Sequence, residues 1–393
     1  MNNFDITIIG GSFAGMTAAL ALADVAQDLK IALIEKIDIV NQDRKHDGRA
    51  YAISAASLAL FKEIGIFDEV EKSAGKISDI KITDYKSPFI LDFIGLEVDE
   101  AAGNFGQIIE SFHIHNALRN QILKRKNITL FCPRSYQDIS FSDLGCEVKL
   151  DNQQIIKSKL LLACDGRFSR LRELFDIHTS KKNYNQIGIV FNISHEKSHE
   201  NIAYEKFLPG GPLAILPLKD SNQSSIVWIA KDADAKAILA LDEENFIQQL
   251  TKKMENSLGK TKVISEKFSY PLILVEAENF YHKKMLLIGD AACGVHPIAG
   301  QGFNLAIAGI KILRELIKNN LFCGLNISSE SLIKDYNKKA KFSAKKMLIA
   351  TDVLNSLFET KSLSIGVARD LGLGLVNKIP VLKKFFIKNA GGF

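Results

Sequence analysis

A short apolar run, a glycine turn and a helix of small residues open the chain, from Asp5-Ile6-Thr7-Ile8-Ile9 through Gly10-Gly11-Ser12-Phe13-Ala14-Gly15 to Ala23. A strand therefore feeds a helix within this stretch. The next apolar run, Lys30 to Glu35, ends in an acid, so the unit closes as strand, helix and strand, the beginning of a parallel sheet. In the dinucleotide fingerprint G-x-G-x-x-G the first glycine makes a tight turn, the second lets backbone approach the pyrophosphate, and the third lets helix pack on strand. Gly10, Ser12 and Gly15 hold those places here. The middle one departs from the pattern: a Cβ on Ser12 crowds the phosphate, while its hydroxyl offers a hydrogen bond in return. Glu35 lies twenty residues after Gly15, where a carboxylate accepts from adenosine ribose hydroxyls and repels a 2′-phosphate. The helix starting near Ala14 presents unpaired N–H groups to the pyrophosphate. This unit alone does not distinguish NAD from FAD. No second fingerprint occurs, so one dinucleotide is held firmly and any nicotinamide binds without a Rossmann unit of its own.

Farther along, the pattern changes. Between about Ile77 and Asp99, and again between Tyr184 and Tyr270, strands follow one another with little helix, as in Ser225-Ile226-Val227-Trp228-Ile229, which predicts a separate antiparallel sheet. From Lys283 the chain returns to strand, glycine loop and helix, so it re-enters the first domain. The expected fold class is α/β: an FAD/NAD(P)-binding, Rossmann-like domain with an antiparallel-sheet substrate domain and a C-terminal helical region. The boundaries read as 1–76, 100–183 and 271–325 for the discontinuous nucleotide domain, 77–99 and 184–270 for the substrate domain, and 326–393 for the helical, basic region.

With 393 residues, 47% of them hydrophobic and 24% charged, the chain can bury a large core. No apolar run approaches the roughly 18 residues of a membrane-spanning helix, and a strand pattern begins at once where a signal peptide would stand, so a cytoplasmic location is expected. The five cysteines are widely separated and form no C-x-x-C, which argues against a zinc site or a disulfide framework. The net charge of +5 is unevenly spread: from Lys334 onward twelve Lys or Arg face four Asp or Glu. These cations are interleaved with aliphatic residues and Phe, which favours a lipid surface over nucleic acid.

Two further motifs decide the nucleotide. Leu162-Ala163-Cys164-Asp165-Gly166-Arg167-Phe168-Ser169-Arg170-Leu171-Arg172 resembles the GADGxxSxxR segment of flavoprotein aromatic hydroxylases, with Cys164 in place of Ala. Gly289-Asp290-Ala291-Ala292-Cys293-Gly294-Val295-His296-Pro297-Ile298-Ala299-Gly300-Gln301-Gly302-Phe303-Asn304 resembles their GDAAHxxxPxxGQGxN segment; Cys293 replaces His, and Gly309 stands where an Asp often follows. Within these class A flavoprotein monooxygenases, the ubiquinone-biosynthesis hydroxylases (the UbiH/UbiF/UbiI group) are the most similar. Asp47-Gly48-Arg49-Ala50-Tyr51-Ala52-Ile53-Ser54 resembles their DGRAxALS, Phe207-Leu208-Pro209 with Gly211 to Leu218 resembles FLPxGPLALLPL, and Thr351 to Phe358 resembles TDxLNxLF.

The resemblance implies an FAD enzyme that hydroxylates the ring of a polyprenyl phenol with O2 and NADH or NADPH through a flavin C4a-hydroperoxide. It places Asp290 on the ribityl hydroxyls, and Gly300, Gln301, Gly302 and Asn304 at the isoalloxazine, where a helix start stabilises the reduced anion. Asp165 joins the cofactor site, Arg49 meets the phosphates, Gln107 touches the flavin, and Pro297 shapes its reactive face with His296 as a candidate acid or base. Phe207, Leu213, Ile215 and Trp228 are candidates for the substrate wall or for plain core. Lys378-Ile379-Pro380-Val381-Leu382-Lys383-Lys384-Phe385-Phe386-Ile387-Lys388 reads as an interfacial segment on the inner face of the cytoplasmic membrane, or as a helix packed on the nucleotide domain. Other ubiquinone-biosynthesis enzymes are candidate partners. Two other readings stay open: a hydroxylase of a soluble aromatic acid, and a non-enzymatic lipid-binding subunit of a quinone-synthesis complex, motivated by Ser12, Cys293 and Gly309.

Overall fold

The computed structural model describes residues 2–41, 47–85, 90–94, 105–295 and 301–359. The opening unit is β1 (Asn2–Ile9), α1 (Phe13–Ala23) and β2 (Ile31–Ile34). It is followed by β3 (Ala50–Ser54), α2 (Ala55–Glu63), α3 (Phe67–Glu71), β4 (Gly75–Ile77), β5 (Asp79–Asp84), β6 (Ile90–Ile94), β7 (Gly106–Glu110) and α4 (Ser111–Lys124). Next come β8 (Ile128–Phe131), β9 (Tyr136–Ser142), β10 (Gly145–Leu150), β11 (Ile155–Ala163), α5 (Arg170–Leu174), β12 (Thr179–His195), β13 (Ile202–Leu208), β14 (Gly211–Pro217) and β15 (Gln223–Lys231). The chain then forms α6 (Asp232–Leu239), α7 (Glu243–Lys253), β16 (Thr261–Val263), β17 (Phe268–Ala277), β18 (Tyr281–His282) and β19 (Met285–Leu287). A 3-10 turn at Gly289–Ala291, β20 (Cys293–Gly294), α8 (Gln301–Phe322) and α9 (Glu330–Glu359) complete it.

Two large sheets and one small one result. In the first, the order β18-β19-β11-β1-β2-β8 places β1 between β11 and β2, and β19, β11, β1, β2 and β8 all run parallel. Parallel strands covered on both faces read as unbroken apolar runs, which is why Ile31-Ala32-Leu33-Ile34 is buried at every position. The second sheet has the order β20-β17-β12-β15-β14-β13-β5-β6. Its pairs are antiparallel apart from β13 with β5, so the expected antiparallel sheet contains one parallel seam. The small sheet, β3-β7-β4, is antiparallel.

Helix α1 is buried from Gly15 to Ala23 because it packs against the parallel sheet, α4 and α8 together. Only small residues let three elements approach so closely. A Cβ at Gly15 would stand 1.7 Å from the Gly10 carbonyl oxygen, and one at Gly10, whose φ is +102°, would stand 2.4 Å from that of Cys164. Both fingerprint glycines are thus demanded by the fold as well as by any ligand. Helices α6 and α7 cover one face of the second sheet and form a core with Phe191, Trp228, Phe246 and Leu250. Helix α9 docks through Tyr336, whose hydroxyl donates to the Leu287 carbonyl at 2.9 Å.

Gly15→Ala is therefore expected to lower unfolding free energy by about 3 kcal/mol or more, the upper end of overpacking costs. Gly309→Ala has room, since its Cβ would meet only Tyr336 Oη at 3.6 Å, and should gain up to about 1 kcal/mol of helix propensity. Urea denaturation of the two variants checks the contrast, and equal effects would contradict it.

Candidate functional site

Parallel strands end on the same side of their sheet, so the loops after β1, β11 and β19 rise along one edge. They line one cavity of about 520 Å3. Ser12, Phe13 and Ala14 come from the first loop, Cys164, Gly166, Arg167 and Phe168 from the second, and Ile288, Asp290, Val295, Gly302, Phe303 and Ala306 from the third region. The second sheet closes the opposite wall with Val190, Ala214, Leu216, Val227, Ile229 and Tyr270, together with Glu205. Phe13, Tyr51 and Phe303 meet edge to face or tilted at 5.2 to 5.7 Å where α1, β3 and α8 converge.

At the first loop, Glu35 lies buried beside the turn, and its Oε1 accepts from Ile37 N at 2.9 Å and its Oε2 from Gly11 N at 2.5 Å. A carboxylate has about four acceptor sites, so ribose hydroxyls still find places on it. Ser12 is the N-cap of α1, exposed, and its hydroxyl makes no cap bond. It remains available at the cleft.

Two arginines clamp the second loop to the third. Arg167 donates to Asp290 Oδ2 at 3.4 Å and to the Val295 carbonyl at 3.1 Å. Gly294 makes room for it, since a Cβ there would meet Arg167 Nε at 2.9 Å. Arg172 is buried and donates to the carbonyls of Ala291 at 2.9 Å and Arg167 at 2.7 Å; burial holds its pKa below the usual arginine value. The Asp290 side chain is 37% exposed, toward the cleft that it lines. Burial raises its pKa above the usual carboxylate range, against the opposing charge and hydrogen bond of Arg167.

The other expected site residues fall as follows. Arg49 lines the cleft and forms an ion pair with Asp47, which also accepts from Ser111 Oγ at 2.6 Å. Burial works to raise the Asp47 pKa, but the bonds from Arg49 and Ser111 hold it below the usual range. Gln107 is buried in β7, and its Oε1 has no partner among the described residues. Asp165 caps the following turn, its Oδ2 accepting from Leu171 N at 3.1 Å, while its buried Oδ1 has no partner among the described residues. Gly302 lines the cleft at the start of α8. His296, Pro297 and Gly300 lie outside the described residues, as does the side chain of Gln301. Asn304 differs from expectation: its amide reaches across to β3, donating to the Ala52 carbonyl at 2.8 Å and accepting from Ser54 N at 3.1 Å, and it is absent from the cleft lining.

The substrate wall needs a correction. Leu213, Ile215 and Trp228 point away from the cleft into the core under α6 and α7, and their neighbours Ala214, Leu216, Val227 and Ile229 form the wall instead. Phe207 is buried on the strand face shared with Glu205 but does not line the cleft. Sequence reasoning passed over Arg167, Tyr270, Glu205 and the Phe13-Tyr51-Phe303 group; Arg172 was legible as the closing arginine of its motif.

The arrangement fits an FAD. The turn at Gly10 leaves no space for a side chain, the Ser12 hydroxyl faces the cleft unused, and two buried acceptors, Gln107 Oε1 and Asp165 Oδ1, lack partners among the described residues. Comparison with known proteins points the same way. The model of the family described as "FAD binding domain" matches residues 3–351. The "Ubiquinone hydroxylase UbiL" of Rhodospirillum rubrum is 32% identical over 389 residues, covering 99% of this chain and 89% of that protein. The "Ubiquinone hydroxylase UbiM" of Neisseria meningitidis is 29% identical over 394 residues, with 99% and 84% covered. Among solved structures, the p-nitrophenol 4-monooxygenase PnpA of Pseudomonas putida superposes with a TM-score of 0.78 at 15% identity, covering 100% of this chain and 98% of that one.

Arg172→Met should cost about 3 kcal/mol, because it strips two carbonyls of a buried charged donor, and should loosen the third loop. Chemical denaturation and amide exchange at Ala291 to Val295 measure both. Wild-type exchange in that segment would contradict the clamp.

Proposed function

The chain belongs to the FAD-binding domain family, and from that premise we propose that it hydroxylates the aromatic ring of a polyprenyl phenol in ubiquinone biosynthesis, using O2 and a reduced nicotinamide. It is an FAD-dependent aromatic hydroxylase. The observation that carries the reading is the convergence of three motif loops on one cleft whose far wall is aliphatic.

In this reading the Gly10-to-Gly15 turn and the start of α1 hold the pyrophosphate, Glu35 the adenosine ribose, Arg49 the phosphates, and Asp290 the ribityl hydroxyls, with Asp165, Gln107 and the α8 start completing the site. FAD, when bound, takes a hydride from the nicotinamide and supplies one oxygen atom of O2 to the ring. The protein's part is to position, to exclude water and to set the local potential. Arg167 keeps the Asp290 carboxyl aimed into the cleft. Val190, Ala214, Leu216, Val227 and Ile229 deny water a foothold beside the reacting ring, which suppresses wasteful formation of hydrogen peroxide. His296 and Pro297 are proposed to border the reacting face. The substrate is insoluble in water, so collection from a bilayer is part of the reading. Among the described residues no helix is long and apolar enough to cross a membrane. The outer face of α9 exposes Lys338, Lys339, Lys345 and Lys346 around Phe342 and Ile349, a pattern suited to an anionic surface.

Purified protein is expected to be yellow and to oxidise reduced nicotinamide quickly only when a prenylated phenol is present, yielding a product one oxygen heavier. Protein that stays colourless with added FAD would sink the proposal, and so would oxidation indifferent to the phenol. Asp290→Ala should weaken FAD binding about 10- to 100-fold, the worth of hydrogen bonds to a charged group, as measured by flavin fluorescence. The protein should also sediment with anionic vesicles and be released by high salt.

A further inference from the structure

One carboxyl in the cleft takes no part in holding the nucleotide. Along β13 the side chains alternate. Tyr204 and Leu208 pack on the core under α6 and α7, and Lys206 Nζ binds Glu255 Oε2 at 2.9 Å on that same side. Ala203 and Glu205 face the other way, and Glu205 reaches the cleft, held in register opposite Ala214 of β14 and Ile82 of β5. Its companions on this wall are Val190, Ala214, Leu216, Val227 and Ile229. Among the described residues nothing donates a hydrogen bond to it and no cation pairs with it. The charged and titratable groups that share the cleft are Arg49, Arg167, Asp290, Tyr51 and Tyr270. Arg49 is engaged by Asp47 and Arg167 by Asp290. Lys206, its neighbour in sequence, is turned to the opposite face.

An aliphatic residue at this position would complete the wall at no electrostatic cost. A buried carboxyl without a partner is unfavourable unless something else supplies the partner. The site faces the space where an aromatic ring must lie against the flavin, and the ring in question carries a hydroxyl donor.

We propose that the Glu205 carboxylate accepts a hydrogen bond from the phenolic hydroxyl of the substrate, fixing which way round the ring enters the cleft and selecting a free phenol over its ether. The proposal rests on the hydroxylase reading and adds to it a residue that determines orientation and specificity. Burial alone pushes the Glu205 pKa up to about 7. A phenol ordinarily titrates near about 10, so between those values the carboxylate is ready to accept while the hydroxyl still carries its proton. A charge-assisted bond of this kind, isolated from water, is strong and also draws electron density toward the ring. An analogue lacking the donor would leave the carboxylate buried and unpaired, which is how a site built to bind a hydroxyl rejects its absence.

The test compares a 2-prenylphenol with a short isoprenoid chain and its O-methyl ether, bound to FAD-loaded wild type, Glu205→Gln and Glu205→Leu, by calorimetry between pH 6 and pH 8. Wild type should prefer the phenol, increasingly so as pH rises through about 7. Glu205→Gln should keep a weaker, pH-independent preference, and Glu205→Leu should lose it, with phenol affinity down about tenfold or more. Folding gives a second readout. A carboxyl whose folded pKa lies above its unfolded value of 4.5 stabilises fully below that value and loses the contribution as pH rises through about 7. The melting temperature of wild type should therefore fall relative to Glu205→Gln across that interval. Preference for the phenol that survives in Glu205→Leu with its pH dependence intact overturns the proposal, even if hydroxylation proceeds. Phenol binding that depends on Glu205 in a protein unable to hydroxylate would instead support the contact and overturn the hydroxylase reading.

Discussion

Parallel hydrogen bonding among β2, β1, β11 and β19 is the constraint from which the cleft follows. The register pairs Ile34 with Ile9, Ile9 with Ala163 and Ala163 with Leu287, so all four strands end at one level. Segments separated by more than a hundred residues in sequence are thereby set side by side, at the carboxyl edge where open α/β sheets bind ligands. The close approach of Gly10 to the Cys164 carbonyl makes this juxtaposition tight. Arg172 and Arg167 then fix the second loop to the third through carbonyls that would otherwise need water.

Why so much of this sheet was legible in the sequence follows from its burial. Strands covered on both faces are apolar throughout, and the turns between them carry glycines whose spacing is dictated by contact distances. Gly10, Gly15 and Glu35 announce the unit because no other residue types meet those demands. The second sheet was legible as strands but not in its facing. Both faces of β14 and β15 are buried, one against helices and one against the cleft, so alternation carries no polar marker of which is which. Size then misleads. Leu213, Ile215 and Trp228 are bulky because they fill a solid core with Phe246 and Leu250, whereas Ala214, Val227 and Ile229 leave the space that a ligand must enter. Helices α6 and α7, which create that core, were not evident from a stretch read as mostly strand.

Glu205 was missed for a related reason. In Tyr204-Glu205-Lys206 the two charges look like an ordinary solvated edge, and only the register shows that they face opposite ways, Lys206 to a partner and Glu205 into the cleft. Asn304 misled in the opposite sense. A polar residue at the start of a helix suggests a ligand contact, but its amide instead joins α8 to the β3 backbone. It acts on the cleft by holding its walls together.

The three departures from the family pattern, Ser12, Cys293 and Gly309, are what motivated a reading as a decayed, non-catalytic subunit, and their surroundings remove that motive. Ser12 caps α1 without using its hydroxyl, so the side chain that crowds a phosphate also brings a donor to it. Cys293 is buried in the main core beside a β-bridge, and burial pushes its thiol up to about 12, which makes it an inert filler there. Gly309 sits on α8 away from the cleft lining, facing Tyr336 of α9. None of these changes places a foreign charge in the cleft, and none fills it. The groups that cannot be altered without rebuilding the edge, Gly10, Gly15, Arg172 and Asp290, are all intact, which is what a working nucleotide site requires and a decaying one would have no reason to keep.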